Sequence, residues 1–274
     1  MLEMILGGKR TVSLDPGDTG PGPTELIASY ARNDTQLAGY YGTVAGSAIG
    51  MTNIINLCAA VPAFGTYIDG STTWRYYNHP STWLKFHLDG KTLFTPVKPL
   101  GSGISWNDLY NLGMVYGRDD IGIPGTDQTG VSQSCIAEFN SYLYRVRLMS
   151  ISPSVGLTAT STTTLQSPDW EIGSEWVRLF YNIVSLAGLK NQEGDKWASL
   201  TPDALGLLSG RAGSGSDLVQ NFITIQGTEY AIYSGGGASS GTSTLSMTSR
   251  RFASRAAQSM YLMYRPVLEL VGKV

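Results

Sequence analysis

Apolar and polar residues alternate most sharply along Trp83-Leu84-Lys85-Phe86-His87-Leu88 and again along Lys91-Thr92-Leu93-Phe94-Thr95-Pro96-Val97, with Asp89-Gly90 between them. Asp-Gly between two such runs predicts a two-residue hairpin loop, because that turn needs positive φ at both central positions. The loop sets the register: Leu88 opposite Lys91, Phe86 opposite Leu93, Leu84 opposite Thr95. Leu84, Phe86 and Leu93 then share one face, which needs a cover. The expected cover follows directly. Ser105-Trp106-Asn107-Asp108 has the pattern of a capping box, Leu109, Leu112 and Tyr116 recur at helical spacing, and Gly117 can stop the helix.

Downstream, residues 118–134 are turn-rich and read as a long loop. Tyr142, Tyr144, Val146 and Leu148 alternate with Leu143, Arg145, Arg147 and Met149, which predicts a strand. Residues 150–168 are rich in Ser and Thr and read as a surface loop. Gly173-Ser174-Glu175-Trp176 opens a second helix with Trp176, Leu179 and Phe180 as its apolar face. Thr201-Pro202 resembles a further helix start. Residues 222–225 and 230–233 read as short strands, and 234–249 as a Gly/Ser/Thr-rich tract. Residues 259–270 form a final strand kinked at Pro266, a residue that favours an edge or a strand end. Helices and a hairpin early, short strands late: the expected class is α+β, with short antiparallel sheets and two to three short helices.

The leading segment differs. Asp15-Pro16-Gly17-Asp18-Thr19-Gly20-Pro21-Gly22-Pro23 is dense in breakers, and the apolar pieces after it are short and interrupted by glycine. Residues 1–70 are therefore expected to be an extended arm that docks the chain onto an assembly, with Leu26, Ile27, Tyr40 and Tyr41 as its contacts, and 71–274 the α+β domain. The alternative is a first subdomain packed on its own chain.

Composition adds to this picture. Charged residues make up 15% of the 274 residues and there are 33 glycines, against the roughly 25% charge of ordinary soluble proteins. Such a surface suits packing against copies or partners; it also suits a turn-rich β domain. The net charge of −2 offers no basic field for nucleic acid. No apolar run is long enough to insert in a membrane, and the amino terminus lacks the pattern of a signal peptide, so synthesis in the cytosol is expected. Two cysteines and two histidines give no disulfide framework and no zinc pattern, and no cofactor is expected.

Gly22-Pro23-Thr24-Glu25-Leu26-Ile27, Gly39-Tyr40-Tyr41-Gly42, Trp83-Leu84-Lys85-Phe86, Ile104-Ser105-Trp106-Asn107-Asp108-Leu109, Tyr144-Arg145-Val146-Arg147-Leu148, Gly173-Ser174-Glu175-Trp176-Val177-Arg178-Leu179 and Arg265-Pro266-Val267-Leu268-Glu269-Leu270 together resemble a group of tailed-bacteriophage virion proteins. The resemblance implies a C-type-lectin-like or formylglycine-enzyme-like carboxy-terminal domain whose last strand returns beside the first hairpin. It also implies a structural module of a particle (tail fibre, baseplate appendage or capsid decoration), with other virion proteins and copies of itself as partners. Related sequences often carry an aromatic or Arg-rich tract before the last strand. Here residues 235–249 are rich in Gly, Ser and Thr, which argues against a receptor pocket at that place. The formylglycine chemistry does not follow, because Cys58 and Cys135 lie in unrelated segments with no basic neighbour.

Each candidate site has a plainer structural explanation. Trp106-Asn107-Asp108 matches a tripeptide of calcium-binding lectins, but a helix cap accounts for it. Asp119, Asp120 and Asp127 are loop acids without the alternate spacing of a calcium loop. His79 and His87 lack a nucleophile partner. Asp169, Glu171 and Glu175 could pair as glycosidase acids, although Glu175 also suits a helix first turn. Tyr76, Tyr77, Tyr142, Tyr230 and Tyr233 could stack on a host-surface glycan. The expected function is non-enzymatic assembly and display on a virion. The rival readings are a glycan-recognising tip and a polysaccharide hydrolase.

Overall fold

The computed structural model of the chain describes residues 17–26, 28–31, 37–62, 64–69, 72–75, 80–152, 156–159, 174–181, 216–234, 250–258 and 262–274. Its largest element is an antiparallel sheet of seven strands in the order β1 (Ala28–Ala31), β2 (Leu37–Ala45), β5 (Thr82–Leu88), β6 (Lys91–Pro96), β15 (Val267–Lys273), β9 (Tyr142–Arg147) and β8 (Ile136–Phe139). A second, mixed sheet runs β13 (Arg250–Ser254), β12 (Thr228–Ser234), β11 (Ser216–Ile225), β14 (Leu262–Tyr264) and β7 (Gly101–Ser102), with β10 (Gly156–Ala159) parallel to β11. β3 (Thr66–Asp69) and β4 (Thr72–Arg75) form a separate ribbon. The described helices are α1 (Met51–Cys58), α2 (Trp106–Asn111), a 3-10 turn at Gly46–Ala48 and a π-helical turn at Val177–Tyr181. The class is thus broadly α+β, dominated by sheet.

The hairpin forms in the expected register, with Leu88 against Lys91, Phe86 against Leu93 and Leu84 against Thr95. Asp89 at φ 49° and Gly90 at φ 81° give the paired positive φ values that the turn requires. The capping box at Ser105 is also present: its hydroxyl accepts from the Asp108 amide at 3.1 Å, and the Asp108 carboxylate accepts from the Ser105 amide at 2.8 Å.

The cover is not the one expected. α2 packs on the other face of the sheet, where Trp106, Leu109 and Tyr110 join Trp83, Phe94, Tyr144, Val146 and Leu268. Leu84, Phe86 and Leu93 instead meet Trp176, Leu179 and Phe180 of the second helical segment and Val219, Ile223 and Ile232 of the second sheet. Both faces of the hairpin are buried, so periodicity alone left its two covers interchangeable.

Three further expectations change. First, β2 pairs with β5 from Ala38↔Leu88 to Ala45↔Thr82, so a boundary at residue 70 cuts through the main sheet. Tyr40 and Tyr41 are buried in that sheet rather than offered by an arm. Leu26 is exposed, and Ile27 lies outside the described residues. Second, the loop expected at 150–168 contains β10. Third, the last strand is two strands in different sheets. β14 belongs to the mixed sheet; after Arg265-Pro266 the chain crosses over, and β15 takes an interior place between β6 and β9. Pro266 stands at a strand end, one of the two expected places, and marks that crossing. Its carbonyl accepts from the Thr95 hydroxyl at 2.9 Å. Arg265, itself buried, donates to Asp217 at 2.6 Å and to the carbonyls of Pro96 and Val97 at 2.7 and 2.6 Å, tying the two sheets together.

Candidate functional site

A cleft of about 350 Å³ opens where the β5–β6 turn, the ends of β9 and β15, the segment 116–118 and the second helical segment converge. The floor is an ion-pair network. Arg147 leaves β9 beneath Gly117, where a Cβ would collide with the arginine Cδ. Its two terminal nitrogens grip Glu175 at 2.7 and 2.6 Å, and its Nε donates to Glu269 of β15 at 3.1 Å. Glu175 also accepts from the Ser150 amide at 3.0 Å. Lys91 reaches Glu269 from the hairpin at 3.0 Å. Across the cleft, Arg178 holds Asp89 at 2.5 Å through both carboxylate oxygens. At the mouth Arg118 pairs with Asp120 at 2.7 Å.

Electrostatics follow from this wiring. Burial by itself pushes the Glu269 carboxyl up, but Arg147 and Lys91 together outweigh it and hold the group below its ordinary value. Burial likewise opposes the Arg147 charge, and Glu175 and Glu269 reverse the effect, leaving the guanidinium more firmly protonated than usual. The hydrogen bonds from Arg178 keep Asp89 low. A glycosidase needs one carboxyl whose affinity for a proton is raised, to act as general acid. Glu269 is displaced in the opposite direction, and both it and Glu175 are bound by the same guanidinium.

The other candidates separate. Tyr233 is fully buried in β12 and is not available for stacking on a sugar, while Tyr230 is half-buried. Tyr76, Tyr77, His79, Asp169, Glu171, the helix start at 201–202 and the tract 235–249 lie outside the described residues. His87 sits edge-on to Tyr41 and its Nε2 accepts from the Gly90 amide at 3.4 Å. The loop acids are engaged one by one: Asp119 with Arg145 at 2.9 Å, Asp120 with Arg118, and Asp127 with the Asn107 amide at 3.2 Å. Asp108 serves the helix cap and accepts from Gln258. Among the described residues no group of three or more His, Cys, Asp or Glu side chains is placed to hold a metal ion. Cys58 and Cys135, from distant segments, are buried in the same core beside Tyr264. Burial pushes both thiols up, Cys135 to about 11.

Sequence reasoning missed a buried lysine. Alternation puts Lys85 on the hairpin face that carries His87, opposite the face of Leu84 and Phe86, and says nothing of its burial; it is fully buried. Its ammonium donates to the Pro23 carbonyl at 2.7 Å, the Thr19 hydroxyl at 3.1 Å and the Gly20 carbonyl at 3.2 Å, and faces the rings of Tyr41 and Phe94. It thereby fastens residues 17–26 as a strap across the sheet. Asp18 adds bonds to Lys273 and Tyr142. The available signal was a charge inside a run with apolar residues at both parities, such as Lys85 with Trp83 at its own parity and Leu84 and Phe86 at the other, or Glu269 with Val267 and Val271 at its own and Leu268 and Leu270 at the other.

Among the described residues no helix is long and apolar enough to cross a membrane. Comparison of the chain with protein families, with curated proteins and with solved structures gave no match.

Proposed function

We propose that this chain is a non-enzymatic structural subunit of a tailed-phage particle, a lectin-like α+β body that acts by assembling with other virion proteins and with copies of itself. One observation carries the reading. Each ionic side chain lining the cleft is already bound by an opposite charge in the same chain, which suits a lock between strands better than a site that moves protons. Two further features support it: β15 lies beside β6, the strand return that the resemblance implies, and the chain is poor in charge, with 15% charged residues. Binding energy would then come from modest contacts repeated by symmetry.

The segment that precedes the strap is the assembly segment. A deletion reaching residue 40 would remove β1 and part of β2, so the truncation that separates assembly from folding ends at residue 16. The shortened protein is expected to melt cooperatively near the full-length temperature and to be missing from purified particles. Full occupancy of the truncated protein in particles would refute the reading. Clearing of host capsule by the purified full-length chain, lost in Glu175→Gln, would replace it with a hydrolase.

A further inference from the structure

The mixed sheet ends in β13, which pairs with β12 from Tyr230↔Ser254 to Ser234↔Arg250; among the described residues no strand occupies its other side. An open ladder edge of this kind is a template for another strand. The loop 118–134 is fastened beside the carboxy-terminal end of β13. Arg255, 3% exposed, stacks on Trp106 at 4.0 Å and donates to Glu229 at 2.5 Å, and Glu229 accepts from the Thr126 amide at 3.1 Å. Gly125 lies directly over the guanidinium, with no room for a Cβ.

That loop displays Ile121 and Ile123, which are 48% and 44% exposed. Their backbone is nevertheless rigidly held: buried Tyr110 and Tyr116 donate their hydroxyls to the two isoleucine carbonyls at 2.8 and 2.9 Å. Apolar side chains on a fixed backbone lose little entropy when they dock. In the loop Asp119 is paired with Arg145 and Asp120 with Arg118, so the acid it offers to a partner is exposed Asp127; the opposite end of β13 carries Arg250 and Arg251.

We infer that this face is a two-fold interface with a second copy of the chain, in which β13 pairs antiparallel with its own symmetry mate. With Phe252 on the axis, Arg250 falls opposite the second copy's Ser254. The basic end of each strand then meets Asp127 of the other copy, and Ile121 and Ile123 seat against the partner beside it. A parallel pairing would place arginine against arginine, so the charges select the antiparallel register. Each contact occurs twice, as a closed isologous interface requires. The inference rests on the self-association proposed above and names its surface.

Sedimentation of the full-length chain at micromolar concentrations tests it. The wild type is expected to dimerise. Asp127→Arg and Arg250→Glu are each expected to raise the dissociation constant by about tenfold or more, and the double variant to recover most of the affinity. Ile121→Ser with Ile123→Ser, a change confined to exposed side chains, should weaken the dimer without altering the melting profile. A dimer indifferent to all these changes overturns this surface while leaving self-association standing. A monomeric wild type that still enters particles overturns the dimer but not the structural role; a monomer absent from particles overturns both.

Discussion

Replacing Lys85 with Met keeps the length of the side chain and removes its charge. The structure makes two demands on that ammonium: it is buried between Tyr41 and Phe94, and it donates to Thr19, Gly20 and Pro23 in the strap. Burial is the larger influence on its ionisation and depresses the pKa from 10.5 to about 8, with Asp18 opposing. The unfolded chain therefore binds more protons than the folded one between these two values. Stability contributed by this group is at its lowest below the folded value and rises with pH across the window, by about 1.4 kcal/mol per unit in the interval between the two pKa values. Integrated from about pH 7 to about pH 9.5, the gain is about 2 kcal/mol. Lys85→Met lacks this term. Urea titrations of both proteins at fixed ionic strength isolate it, since the tyrosines and cysteines that also titrate there are common to both. The unfolding free energy of wild type minus that of Lys85→Met is expected to grow by about 2 kcal/mol over this range. A flat or falling difference would refute the buried, charged lysine. Hydrogen exchange supplies a second readout: amides of residues 17–26 should lose protection in the variant at every pH.

Two other perturbations follow from the same kind of argument. Arg265→Met strands Asp217, which burial has already pushed up to about 6, and should cost about 3–5 kcal/mol at neutral pH. Because a carboxyl raised above its unfolded value is penalised only once it ionises, the loss in this variant should shrink as pH falls towards 4; an undiminished loss in acid-range denaturation curves would contradict it. Ser105→Ala removes the hydroxyl that accepts from Asp108 and should lower stability by about 1 kcal/mol, with thermal melts as the check and no change at all as the refuting result.

The candidate site was much less legible than the fold elements around it. Glu175 was visible as a first-turn acid, Arg147 as a polar position in a strand, and Glu269 as a charge among apolar neighbours, but nothing local joins them. Arg147 lies 28 residues from Glu175 and 122 from Glu269, and a pair brought together over such distances is set by strand order, not by spacing. The same holds for Tyr40 and Tyr41. Their glycine-interrupted segment has the look of an arm in sequence, and becomes sheet because β5 offers it a ladder.

Where the determinants are neighbours in the chain, sequence alone was sufficient: positive φ at Asp89-Gly90 fixed the hairpin register, Ser105 and Asp108 fixed the start of α2, and the alternation around Tyr144 and Val146 fixed β9 as a strand with these two side chains on one face. Tertiary structure alone decided which helix covers which face, where the chain crosses between sheets at Arg265-Pro266, and which charges neutralise one another. Backbone conformation and side-chain parity are encoded within a few residues. Burial on both faces erases the polar stripe that would otherwise say which side faces what, and ionic partners are chosen only after distant strands have been placed side by side.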